Sequence, residues 1–213
     1  MRRKPRTMNM SRHLTGVLLC TAMLLLNGCA STGPTRFYLL SPIGGDHAGG
    51  CPDGRTLSLG VGPIEVPRYL DRPQIMTRTG PNEMALAEFD LWAEPLKEGI
   101  PRILARNLQA QACERVEADA WKRPNRVDYM LVAVINRLDG VLGESAVLDV
   151  KWIVTDERSK ETVLSKTSTY TETVATRDYR SLAASYSSLV AAFSRDVAES
   201  LASLSSGMGG PEE

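Results

Sequence analysis

Nine apolar side chains, Tyr179, Leu182, Tyr186, Leu189, Val190, Phe193, Val197, Leu201 and Leu204, recur almost throughout at steps of three and four. That spacing commits the end of the chain to one long helix with a single apolar stripe. Thr176 or Asp178 can cap its start. The opposite side is mostly Ser and Ala with Arg195, Asp196 and Glu199. Side chains that small either permit close packing against another surface or form a solvated face of good helix formers.

Strands precede this helix. Tyr129 to Leu138 is apolar on both alternating sets, which predicts a central strand with helices covering each side. Leu148, Val150, Trp152 and Val154 alternate with polar residues, so that strand is half-exposed. Asp156 to Glu161 is a turn, and Thr162 to Val174 is a longer, more exposed strand. Further upstream, Phe37 to Leu40 and Thr56 to Val66 read as strands, the latter with Gly60 and Gly62 marking a bulge or a close backbone approach. Gln74 to Thr79 and Glu83 to Glu88 are short strands joined at Gly80-Pro81-Asn82. An earlier helix starts near Pro95, with Leu96, Ile100, Ile103, Leu104 and Leu108 inward, Arg106 and Gln109 outward, and a kink or an irregular first turn at Gly99 and Pro101. Phe89 and Trp92 should bury where the chain enters that helix. The order predicts an α/β, three-layer fold with a mixed, roughly five-stranded sheet and two main helices.

The N-terminus constrains compartment instead of fold. Basic residues run to Arg12, and an apolar run follows from Leu14 to Leu26. Thirteen residues are too few to cross about 30 Å of hydrocarbon as a helix, but they suit a secretory signal. Met8 and Met10 offer alternative starts. Leu26-Asn27-Gly28-Cys29 resembles the lipobox of bacterial lipoproteins, with Asn27 a mild departure. The small Gly28 admits the peptidase, and the Cys29 thiol receives the diacylglyceryl group. Several acyl chains on one residue anchor stably, at about 0.8 kcal/mol per buried CH₂. Ala30 and Ser31, rather than Asp, follow the cysteine, which resembles outer-membrane sorting. The chain therefore divides into a signal peptide (1–28), a tether (29–35), a folded domain (36–205) and a tail (206–213).

The 213 residues carry 25 basic and 25 acidic groups. The first 28 hold five basic groups and no acid, so the remaining 185 carry 20 against 25, a net charge near −5. Nucleic-acid binding, which needs a basic face, is poorly supported. Cys51 and Cys113 form an even pair in an oxidising compartment. A bond between them would close a loop of about 62 residues, contributing roughly 4 kcal/mol before strain. Two free buried thiols or a two-ligand metal site are the other readings, and no nearby His or Cys completes a tetrahedral metal set. After the leader only His47 titrates near neutrality. No P-loop, Gly-x-Ser-x-Gly or His-Glu-x-x-His pattern occurs. The sequence implies neither a metal nor a cofactor, nor an enzyme.

Three segments carry a resemblance: TRFYLLSP (Thr35 to Pro42), VGPIEVPRYLDRPQIMTR (Val61 to Arg78) and LAEFDLWAEPLKEGIPRILARNL (Leu86 to Leu108). The succession resembles the PqiC/YmbA family, auxiliary lipoproteins of ABC-type and MCE-type transport. The resemblance implies a three-layer α/β fold and an outer-membrane lipoprotein facing the periplasm, anchored through Cys29. It implies an MCE-domain tunnel protein as partner, phospholipid as cargo and ring-like self-association. An envelope-assembly lipoprotein that scaffolds another periplasmic machine is the alternative. Within YLDRPQI two readings stay open. Arg68, Tyr69, Asp71 and Arg72 form partner contacts, or Tyr69 and Leu70 cap the core while Asp71 pairs with an Arg or satisfies turn amides. Glu88, Asp90 and Glu94 suit a helix start, with one of them pairing with Arg72 or Arg78.

Overall fold

A computed structural model of the chain describes residues 33–42, 58–111, 115–117 and 127–207. The chain divides after Pro34, and every element below belongs to the unit from Thr35 onward. The elements are β1 (Arg36–Tyr38), β2 (Ser58–Glu65), β3 (Gln74–Gly80), β4 (Glu83–Trp92), α1 (Leu96–Gln111), β5 (Arg115–Glu117), β6 (Tyr129–Gly140), β7 (Ser145–Asp156), β8 (Thr162–Thr173) and α2 (Tyr179–Gly207).

The fold is α/β with two main helices, and a mixed five-stranded sheet runs β5-β2-β6-β7-β8. β5, β2 and β6 are parallel, while β7 and β8 add antiparallel. The other three strands do not join it. They form a separate sheet, β1-β4-β3, in which β1 runs parallel to β4 and β3 antiparallel. Thus the strands divide between two sheets where a single sheet was expected.

α1 packs beside α2, α1 against β2 and β5, and α2 against β7 and β8. Leu131, Ala133 and Ile135 of β6 and Leu148, Val150, Trp152 and Val154 of β7 are buried, and Trp152 meets Phe193 of α2 at 6.0 Å between ring centroids. The helices therefore occupy one face of the large sheet. The opposite face of β6 is not covered as its sequence suggested: Met130 and Val132 are half-buried, and Val134 and Asn136 are exposed. Alternation reports that a side chain is apolar, whereas cover depends on where both helices dock.

Local signals behave as their chemistry dictates. The Asp178 carboxylate accepts from the Ser181 N–H at 2.8 Å and caps α2. Gly62 has φ +113°, and the β2–β6 register shifts between Val61 and Ile64, the bulge that its glycines announced. Pro101 sits inside α1 without ending it.

Candidate functional site

The YLDRPQI segment (Tyr69 to Ile75) begins in a single 3-10 turn, Arg68–Leu70, started by Pro67, with Leu70 N–H donating to the Pro67 carbonyl at 2.9 Å, and ends in β3. Leu70 is buried. The Tyr69 hydroxyl accepts from Leu138 N–H at 3.0 Å and donates to the Leu138 carbonyl at 3.3 Å. This residue thus latches the turn to β6, and burial pushes its phenol up. Asp71 pairs with Lys97 at 3.1 Å, not with an arginine, and both ends are about half-exposed. Such a pair adds little stability. Arg68 and Arg72 are exposed. Of the four residues singled out in the sequence, Tyr69 faces the fold and the two arginines face solvent. Cys29, Cys51, Cys113 and His47 lie outside the described residues.

The acids before α1 pair elsewhere than expected. Asp90, buried in β4, accepts from Arg36 at 2.8 Å and from the Tyr38 hydroxyl at 2.7 Å. Glu94 pairs with Arg102. Asp90 therefore clamps both ends of β1, the first strand among the described residues. The chain then continues over α2, where Ser41 N–H donates to the Ser187 hydroxyl at 3.1 Å. Beside it lies an open groove of about 520 Å³, lined by Tyr38, Leu39, Pro42, Ala184, Arg180 and Arg195 among others.

The main charged cluster lay hidden in the sequence. Asp139, at the end of β6, is fully buried. It accepts from Arg78 of β3 at 2.6 Å and from Arg137 at 2.8 to 3.0 Å. Burial alone would raise its carboxyl. The hydrogen bonds from Arg78 and Arg137 outweigh burial and hold it below the ordinary carboxylate range. Arg78 also donates to the Pro81 carbonyl at 2.8 Å. One guanidinium thus joins the small sheet, its own hairpin turn and the large sheet. The apolar alternation of this strand ends at Leu138, so nothing local announces a buried acid one residue further along it.

A second network fixes α2 to β8. Asp196 accepts from Lys166 (3.1 Å), the Ser168 hydroxyl (2.8 Å) and the Tyr170 hydroxyl (2.7 Å). Among the described residues no group of three or more His, Cys, Asp or Glu could hold a metal ion. Nor is any helix among them long and apolar enough to cross a membrane.

The family model described as ABC-type transport auxiliary lipoprotein component matches residues 38–198. No curated protein matches the chain. An uncharacterised protein of solved structure aligns at TM-score 0.67 with 18% identity, over 79% of this chain and 99% of its own. A Xanthomonas campestris protein of the DUF330 family aligns at 0.64 with 18% identity, over 77% and 93%. A dodecameric PelC from Paraburkholderia phytofirmans aligns at 0.38 with 20% identity, over 67% and 89%. The first two likenesses establish a shared fold.

Proposed function

We propose a function on one premise: this chain belongs to the family of ABC-type transport auxiliary lipoprotein components. Membership makes it an envelope lipoprotein that accompanies a transport system. The finer reading is that acylated Cys29 holds it at the inner leaflet of the outer membrane, with the folded body facing the periplasm. The body then docks the far end of an MCE-domain tunnel protein, alone or as a ring of copies, so that phospholipid cargo need not cross water. The work is geometric, not chemical.

The observation that carries this reading is the extent of the match, residues 38–198, which takes in nearly the whole folded body from the end of β1 into the last turns of α2. The helix-free face of the large sheet supports it. There Val132 and Ile153 are half-buried, Val134 is exposed, and Lys151 and exposed threonines of β8 surround them. An apolar centre with a polar rim is the usual anatomy of a protein interface. Photocrosslinking from Val134 and from Arg72 in intact cells tests the reading. Capture of an MCE-domain protein is the expected result. Capture of a cell-wall synthase instead would favour the scaffold alternative and overturn this one.

A further inference from the structure

The small sheet has two unlike faces. In paired strands, directly opposed residues project to the same side. Tyr38 opposes Trp92, and Thr77 opposes Ala85. Trp92 stacks on Tyr186 of α2 at 5.8 Å between centroids, and Ile75 and Thr77 are buried, so this side faces inward. On the other side Phe37 opposes Leu91, Leu91 opposes Gln74, Leu86 opposes Met76, and Met84 opposes Arg78. That outer face carries Phe37, Met76, Met84, Leu86 and Leu91. Gln74 lies among them, and Arg78 turns away toward Asp139.

An open sheet face normally alternates to polar residues where it meets water. This one is mainly apolar, with Gln74 its polar member. Phe37 is 64% exposed and Leu86 51%, and Leu39, two residues past Phe37, is 52% exposed. These are three of the four large hydrophobic side chains exposed among the described residues, the fourth being Val134. An apolar patch of this kind marks a contact surface.

The chain itself indicates the occupant. Phe37 lies eight residues after Cys29, and eight residues of extended chain reach at most about 29 Å. The first strand after the tether is the one that contributes Phe37, and Asp90 clamps that strand in place through Arg36 and Tyr38. We infer that the outer face of the three-stranded sheet, centred on Phe37 and Leu86, rests on the phospholipid bilayer to which Cys29 is fastened. The inference rests on the lipid-anchor reading above and adds the face that meets the lipid. A bilayer needs no matching shape, which suits side chains spread over three strands. The exposed carboxylates of β4 are Glu83, next to the hairpin turn, and Glu88, in its irregular stretch.

The test uses the full-length acylated protein reconstituted into phosphatidylethanolamine–phosphatidylglycerol vesicles, with or without lipids brominated along the acyl chain. Phe37→Trp and Leu86→Trp are compared with Thr167→Trp, on the exposed helix-free face of the large sheet, each against the wild-type signal. The two outer-face tryptophans should shift to shorter wavelength and lose about half of their emission on brominated lipid, with the Thr167→Trp signal unchanged. Floating protein whose tryptophans at 37 and 86 are not quenched overturns the inference while leaving the anchor intact. Tryptophans shielded from aqueous acrylamide but unquenched by brominated lipid show that a protein or a second copy covers the face, and overturn it too. Wild-type protein that fails to float with the vesicles overturns the anchor reading and this inference with it.

Discussion

Replacing Asp139 with Asn removes the charge that two arginines share. Removing one partner from a buried ion pair costs about 3–5 kcal/mol, because the remaining charge is left without compensation. Here the remaining charges are guanidinium groups whose side chains are 26% (Arg78) and 43% (Arg137) exposed. They can recover water, so the loss should fall below that range, at about 2–3 kcal/mol. For a domain of this size that is a drop in Tm of roughly 5–10 °C. The pH dependence is a sharper test than the size. Asp139's carboxyl is held below its ordinary value. Its contribution is therefore fully present above the unfolded value of about 3.9, and is lost as pH falls through the folded one. The stability gap between wild type and Asp139→Asn, from denaturant titrations followed by tryptophan fluorescence, should be constant from pH 8 to pH 5 and should close as pH falls toward 2. Arg78→Met should cost less in the Asp139→Asn background than alone, by about 1–2 kcal/mol. A gap below about 1 kcal/mol at pH 7, or one that persists unchanged into acid, would refute the claim that the charge on Asp139 ties the two sheets together.

Three further outcomes are expected from the same measurements. The Tyr186 hydroxyl is buried without a hydrogen-bond partner among the described residues, so Tyr186→Phe should be neutral or stabilising by up to about 1 kcal/mol; a clear loss would reveal a partner. Gly140→Ala places a Cβ 2.7 Å from Leu182 Cδ1 and 3.0 Å from the Ser145 carbonyl, and should cost about 1–3 kcal/mol. Gly80→Ala, whose nearest neighbour is 3.6 Å away, serves as its tolerated counterpart, and equal melting temperatures for the two would contradict the packing. Asp178→Ala removes the α2 cap and should cost about 1 kcal/mol, with Asp178→Ser retaining most of it.

Elements whose side-chain period alone specifies them were legible. α2 follows from its stripe, α1 begins directly after Pro95, and the β7–β8 hairpin turns between Asp156 and Thr162 as its polar residues suggest. What escaped was set by partners distant in sequence. β5 is three residues whose pairing with β2 no local pattern announces. β4 runs on through Phe89 to Trp92, because β1 pairs with its far end, Arg36 opposite Asp90; locally that stretch reads as the approach to a helix. The division into two sheets is likewise a matter of register. Within the candidate site, Tyr69 could be read as an aromatic at a turn, but its acceptance of the Leu138 N–H spans 69 residues. Asp139 stayed hidden because the apolar alternation that marks β6 stops at Leu138, and its partner Arg78 lies 61 residues away.

The apolar strands show why the two faces of a sheet must be judged after packing. Val132 and Val134 made β6 look buried on both sides, yet both helices dock on one. Met76, Met84, Leu86 and Leu91 raise the same ambiguity, since an apolar position on a strand means either an interior or an interface. Once the inner side of the small sheet is accounted for by Trp92, Ile75 and Thr77 against the body, the outer residues have no interior left to enter among the described residues. Their hydrophobicity then describes something the molecule touches. The strand that presents Phe37 is also the one that begins a few residues after Cys29, so, on the proposed lipid anchor at Cys29, the bilayer is the nearest candidate.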